Sequence, residues 1–89
     1  MINVLFSTGF KRALKKKIKS NKKSENLFFE KLKFFCDDPF YPALKTHKLT
    51  GDLADYWSFS VEQDLRVIFY FENKNTVVLT DIGSHDEVY

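Results

Sequence analysis

From Leu65 to Glu72 the chain is a nearly continuous apolar run, interrupted only by Arg66 and bounded by Gln63-Asp64 and by Glu72-Asn73-Lys74-Asn75. A run this short between turn signals reads as a buried strand. It has company on both sides. Tyr56 to Val61 alternates, with Trp57, Phe59 and Val61 on one face and Ser58, Ser60 and Glu62 on the other. Val77, Val78, Leu79 and Ile82 form a last strand. Three strands joined by turns make an antiparallel meander, which needs a cover over one face.

The first half of the chain supplies that cover. Ile2 to Phe6 reads as a short opening strand. Ser7 or Thr8 caps a helix with Phe10, Leu14 and Ile18 as its apolar stripe. A second helix is expected from an N-cap at Ser24, with Leu27, Phe28, Leu32 and Phe35 on its inner side, ending near Asp37-Asp38 ahead of Pro39. A Pro-punctuated connector, Phe40 to Leu44, leads to an expected strand start at His47-Lys48-Leu49, and Gly51-Asp52 marks a turn. The expected fold is α+β, in the order β-α-α-β-β-β, with two N-terminal helices packed on an antiparallel sheet. Residues 1–89 make one domain. Ten Phe, four Tyr and one Trp supply its core, each fully buried Phe contributing about 1.5–3 kcal/mol.

Charge is divided along the chain. Residues 1–50 carry twelve Lys/Arg against four Asp/Glu, and residues 51–89 carry two against eight. The net +2 therefore hides a basic half suited to a polyanion. Lys11, Arg12, Lys15, Lys16 and Lys19 ring the first helix, and Lys45 and Lys48 flank His47. The alternative for the helix is a solvated basic face. Cys36 is the only cysteine, which excludes an internal disulfide and fits a reducing cytosol. With Phe34-Phe35 before it and Asp37-Asp38 after it, its thiol is expected to be raised in pKa and inert. No long uncharged stretch follows Met1, so no signal peptide and no membrane span are expected. Metal-ligand spacing and glycine-rich phosphate loops are absent, so neither metal nor nucleotide cofactor is expected.

The chemistry-bearing residues are few: His47, Asp64, Arg66, His85 and Tyr89. Each also has a plain structural explanation. His47 would be a surface histidine among lysines, Asp64 and Arg66 an internal ion pair (or Arg66 paired with an acid on a neighbouring strand), and His85 with Tyr89 a C-terminal packing clasp. Taken together on a basic protein they suit metal-free RNA cleavage. That reaction removes a proton from the ribose 2′-hydroxyl, delivers one to the leaving 5′-oxygen and stabilises charge on phosphorus. Histidine can fill either proton role. Arginine offers a permanent cationic fork for phosphate, and an aromatic ring can stack on a base.

Three segments carry a family resemblance. Thr46-His47-Lys48-Leu49-Thr50-Gly51-Asp52 resembles a His-x-Leu-x-Gly segment, Asp64-Leu65-Arg66-Val67-Ile68-Phe69 an Asp-x-Arg-x-Ile-Tyr strand, and Gly83-Ser84-His85-Asp86-Glu87-Val88-Tyr89 a Gly-Ser-His-x-x-x-aromatic ending. In this order they resemble the RelE/ParE superfamily of type II toxins, in its YafQ-like branch. The resemblance implies a toxin that cleaves mRNA on the ribosome and inhibits translation, acting in the cytoplasm without a cofactor. It implies a cognate antitoxin in a hetero-oligomer, and a monomeric free toxin. Exposed Phe29, Phe34 or Phe40 would seat the antitoxin. Carried over, His47, Asp64, Arg66, His85 and Tyr89 are the catalytic set, and the seven basic residues contact RNA. Ser60 stands where YafQ-like members carry a further histidine. The alternatives are a ParE-like gyrase inhibitor and a catalytically degenerate toxin that mainly binds its antitoxin.

Overall fold

A computed structural model describes residues 1–89. Strand β1, Asn3–Phe6, opens the chain and is followed by helices α1, Thr8–Ile18, and α2, Lys22–Asp37. A 3-10 turn at Pro42–Leu44 leads to a two-residue strand β2, His47–Lys48, and a second 3-10 turn covers Gly51–Leu53. Strands β3, Trp57–Glu62, β4, Leu65–Asn73, and β5, Thr76–Gly83, form the meander. A short helix α3, His85–Val88, ends the chain. The expected α+β order is present; β2 falls at the expected strand start, His47-Lys48, and α3 is added to the order.

All five strands lie in one sheet, in the order β1-β5-β4-β3-β2. The meander is antiparallel, and β2 pairs antiparallel with β3, placing His47 opposite Ser58. β1 runs parallel to β5, so the sheet is mostly rather than wholly antiparallel. A parallel pair needs a long connection, and everything from α1 to β4 lies between these two strands.

Ser7 caps α1 by accepting from the Phe10 N–H at 3.0 Å. The expected cap at Ser24 is corrected: Asn21 accepts from the Ser24 N–H at 3.1 Å, and α2 starts one turn earlier. Ser24 is buried inside the helix, and its hydroxyl donates to Glu62 at 2.6 Å. That bond ties α2 to the end of β3. Asp38, extended at φ −157° and ψ 104°, closes the helix ahead of Pro39.

Both helices cover one face of the sheet. The core between them is built on Phe10, Phe28, Phe35, Phe59 and Phe69, all fully enclosed. Phe35 stacks on Phe59 at 4.7 Å and meets Phe69 edge-on at 4.9 Å. Alternation sends Phe59, Val61, Val67 and Phe69 into this core. Ser58, Ser60, Arg66 and Ile68 are left to the opposite face. That face is not simply solvated, because Ser58 and Ser60 are both buried. Glu62 departs from the expected alternation. A register shift between Ser60 and Glu62 breaks the period, and Glu62 reaches α2.

Candidate active site

The uncovered sheet face and the C-terminal helix meet around Ser58. β2 lays His47 beside Ser58 in register, and α3 brings Tyr89 over the same residue. The Tyr89 hydroxyl donates to Ser58 Oγ at 2.6 Å. Ser58 Oγ lies 3.4 Å from His47 Nε2, and His47 Nδ1 lies 3.1 Å from the Lys45 carbonyl oxygen. Because a carbonyl only accepts, that contact assigns the proton of neutral His47 to Nδ1 and leaves Nε2 as the acceptor. Lys45 is the one non-glycine residue with positive φ, at 51°. The turn at Pro42–Leu44 imposes this left-handed geometry, and it aims the Lys45 carbonyl at the imidazole.

α3 exists because Ser84-His85-Asp86-Glu87 forms a capping box. Ser84 Oγ accepts from the Glu87 N–H at 3.2 Å, and Glu87 Oε1 accepts from the Ser84 N–H at 2.7 Å. Lys17 of α1 donates to the same Glu87 oxygen and pairs with it. The Lys17 hydrogen bond, followed by the Ser84 backbone N–H, lowers the Glu87 carboxyl pKa to about 2. Gly83 lets α3 approach: a Cβ there would stand 3.0 Å from Glu87 Oε1 and 3.1 Å from Val88 Cγ1. Held this way, the His85 ring meets the Tyr89 ring edge-on, centroids 4.4 Å apart. The His85 backbone N–H points to Asp64 Oδ1 at 3.4 Å.

Three sequence candidates, His47, His85 and Tyr89, are therefore brought together. Asp64 joins through the backbone of His85, from the turn before β4. The expected alternative of an Asp64–Arg66 ion pair is not formed, and Arg66 makes no ion pair at all. Asp64 lies outside the strand, so the two side chains do not share its period. Arg66 pairs in register with Ser60 and Gly83. It lines a depression of about 380 Å³ with Lys31, Lys45 and Ser60. A second depression of about 440 Å³ is lined by His47, Lys48 and Tyr89. Ser60 donates its hydroxyl to the Glu62 carbonyl at 2.8 Å.

The basic candidates fall into two groups. Lys45, through its carbonyl contact with His47, and Lys48 border the histidine site. Lys11, Lys15 and Lys19 instead line a groove of about 600 Å³ with Leu14, Ile18 and Lys22, which shares no lining residue with that site. Arg12 and Lys16 are exposed on α1. Cys36 is half-buried, and burial first, then Asp37, raises its thiol pKa. Sequence reasoning missed Ser58 and Glu87. The Ser84-x-x-Glu87 spacing was a readable signal for the second. Ser58 had only its place in the alternation.

No helix is long and apolar enough to cross a membrane, and no group of three or more His, Cys, Asp or Glu side chains could hold a metal ion. Residues 2–89 match the family model described as the bacterial toxin of a type II toxin–antitoxin system, YafQ. None of the curated proteins compared matches the sequence significantly. Among solved structures, YafQ from E. coli strain BL21(DE3) superimposes with a TM-score of 0.81 at 16% identity, over 100% of this chain and 99% of that one. A metal-bound toxin from Helicobacter pylori gives 0.80 at 26% identity over 100% of both chains. The YoeB–YefM complex from Staphylococcus aureus gives 0.75 at 22% identity, over 96% of this chain and 98% of that one. The family match over nearly the whole length, with the fold shared by these toxins, leads to one conclusion: the chain belongs to the YafQ family of bacterial type II toxin–antitoxin toxins.

Proposed function

We propose that this toxin is a ribosome-dependent mRNA endonuclease that inhibits translation. The observation that carries the reading is the convergence of His47 and Tyr89 on Ser58, with the His85 ring edge-on to Tyr89 and the Lys45 carbonyl against His47. Two imidazoles can divide the two proton transfers. His47, with Nε2 free of a proton, serves the base side, and the 2′-oxygen attacks the adjacent phosphorus. His85, exposed on α3, protonates the 5′-oxygen as its bond to phosphorus breaks. The products are a 2′,3′-cyclic phosphate and a free 5′-hydroxyl.

Arg66 forms no ion pair, although Glu62 lines the same depression, and its guanidinium is the group offered to phosphate oxygens. Lys45 and Lys48 add charge on either side. Asp64 fixes the start of α3, and so the place of His85. The Tyr89 ring is offered to a base. Lys11, Arg12, Lys15, Lys16 and Lys19 would hold rRNA phosphates at a distance from the chemistry. Phe29, Phe34 and Phe40 are 45%, 37% and 52% exposed, which supports an antitoxin seat on the α2 side.

One observation favours a catalytically degenerate toxin that chiefly binds its antitoxin. Ser60 replaces the strand histidine, and its hydroxyl is spent on the Glu62 carbonyl. Expression without an antitoxin separates the readings. The endonuclease arrests growth and leaves translated mRNA cut, and His85→Ala abolishes both. A harmless wild type identifies the degenerate form. Growth arrest with intact mRNA and induced DNA damage would instead identify a gyrase inhibitor.

A further inference from the structure

We propose that Ser58 is a positioning residue that relays a proton from Tyr89 to His47, so that Tyr89 rather than the imidazole meets the ribose 2′-hydroxyl. The proposal rests on the endonuclease reading and specifies its base.

The hydrogen bonds have one consistent direction. The Lys45 carbonyl requires a proton on His47 Nδ1, at 3.1 Å. Nε2 must then accept, and the group facing it at 3.4 Å is the Ser58 hydroxyl. Ser58 Oγ in turn accepts from the Tyr89 hydroxyl at 2.6 Å. With its proton committed to Ser58, the Tyr89 oxygen keeps lone pairs for an incoming donor. His47 and Tyr89 are both exposed, but both His47 nitrogens already face protein groups, whereas the Tyr89 oxygen faces only Ser58. Ser58 is 0% exposed, so bulk water cannot reorient the middle of the chain.

The transfer balances. The 2′-hydroxyl gives its proton to the Tyr89 oxygen as the 2′-oxygen attacks phosphorus. Tyr89 passes its own proton to Ser58 Oγ, and Ser58 passes its proton to His47 Nε2. His47 becomes imidazolium, and both hydroxyls end neutral. His85, edge-on to Tyr89 at 4.4 Å between centroids, stands on the leaving-group side. The relay also answers the absent strand histidine, since Ser60 is turned to Glu62 and faces no imidazole.

The test combines single-turnover cleavage of ribosome-bound mRNA with nitrogen NMR of the free protein. Ser58→Ala and Tyr89→Phe are each expected to slow cleavage about 10²-fold, the scale of one general-base contribution. Both should flatten the acidic limb of the pH profile, where protonation of the base shuts the reaction down. Because they break the same chain, Ser58→Ala/Tyr89→Phe should be no slower than either alone, and Ser58→Thr should restore most of the rate. Tyr89→Phe keeps the ring and alters an exposed position, so it reports even if Ser58→Ala folds poorly. Multiplying effects in the double variant would overturn the relay. So would a neutral His47 protonated at Nε2, which the free protein reveals without any RNA. A wild type that cuts no mRNA while His47 carries its proton at Nδ1 would sink the endonuclease reading itself, and the relay's catalytic role with it.

Discussion

The Tyr89 hydroxyl donates to Ser58 Oγ at 2.6 Å across thirty-one residues of sequence. Through this bond the last residue of the chain becomes part of the sheet face that carries His47. It also explains why a serine on a strand's polar face is fully buried. The tail is thus both a packing clasp and one wall of the candidate site.

Removing Val88 and Tyr89 separates those two roles. Neither belongs to the enclosed core, and Tyr89 is exposed. The loss should cost about 1 kcal/mol, within the ordinary range for a single change, or about 4–8 °C in melting temperature for a domain this size. Toxicity and cleavage should fall far more, by about 10²-fold or greater. A calorimetric melt beside a cleavage assay reads both. A truncated chain that no longer melts cooperatively would mean that the tail is chiefly structural.

Gly83→Ala probes the fit of α3. The added methyl would stand 3.0 Å from Glu87 Oε1 and 3.1 Å from Val88 Cγ1, so the helix must shift by a few tenths of an ångström. Such a shift moves His85 and Tyr89 together while leaving the phenylalanine core untouched. Cleavage is expected to drop at least tenfold with little change in melting temperature, since catalytic geometry is sensitive at this scale. Unchanged cleavage would show that α3 tolerates displacement.

Acid should release the tail late. The Glu87 carboxyl is lowered from 4.5 to about 2 by the Lys17 hydrogen bond and the Ser84 backbone N–H. A depressed folded-state value means that its stabilisation is fully present above about pH 4.5 and is lost as pH falls through about 2. Carbon NMR of the Glu87 carboxyl should therefore show a midpoint near 2. In Glu87→Gln, the edge-on signature of Tyr89 on the His85 ring should already be weakened at neutral pH. A midpoint near 4.5 would mean that Lys17 does not hold the tail.

The two basic groups should separate in salt. Lys15→Ala with Lys19→Ala lies on the α1 groove, away from the histidines. It should weaken ribosome binding and flatten its salt dependence by about one unit of log–log slope for each phosphate no longer neutralised. The rate of cleavage once bound should hold. Lys45→Ala lies in the Arg66 depression and should slow the bound step instead. Filter binding across salt concentrations, paired with single-turnover rates, distinguishes them. Equal salt slopes for wild type and the α1 variant would return those lysines to a solvated face.

Local patterns carried much of the fold. Phe10, Leu14 and Ile18 marked the inner stripe of α1, and the alternation of Trp57 to Val61 set the face of β3. What lay outside their reach was non-local or competed with a stronger signal. β1 beside β5 joins residues more than seventy apart, and nothing near Val4 names Val77 as its partner. Ser24 looked like a cap, but Asn21 took that role, and Ser24 went to Glu62. Asp64 and Arg66 suggested an ion pair only if both lay in one strand, and the turn at Gln63-Asp64 breaks that premise. The histidines, Tyr89 and Arg66 were visible as chemistry. Ser58 was not, because a serine gains its role only from what two distant segments lay against it.

Primer extension on a translated mRNA after induction, comparing wild type, His85→Ala and His47→Ala, tests the central claim most directly. Wild type should give discrete cleavage stops within the translated region. His85→Ala and His47→Ala should give none above background while folding normally. Stops of wild-type intensity in His85→Ala, or none in wild type despite growth arrest, would contradict an endonuclease built on these residues.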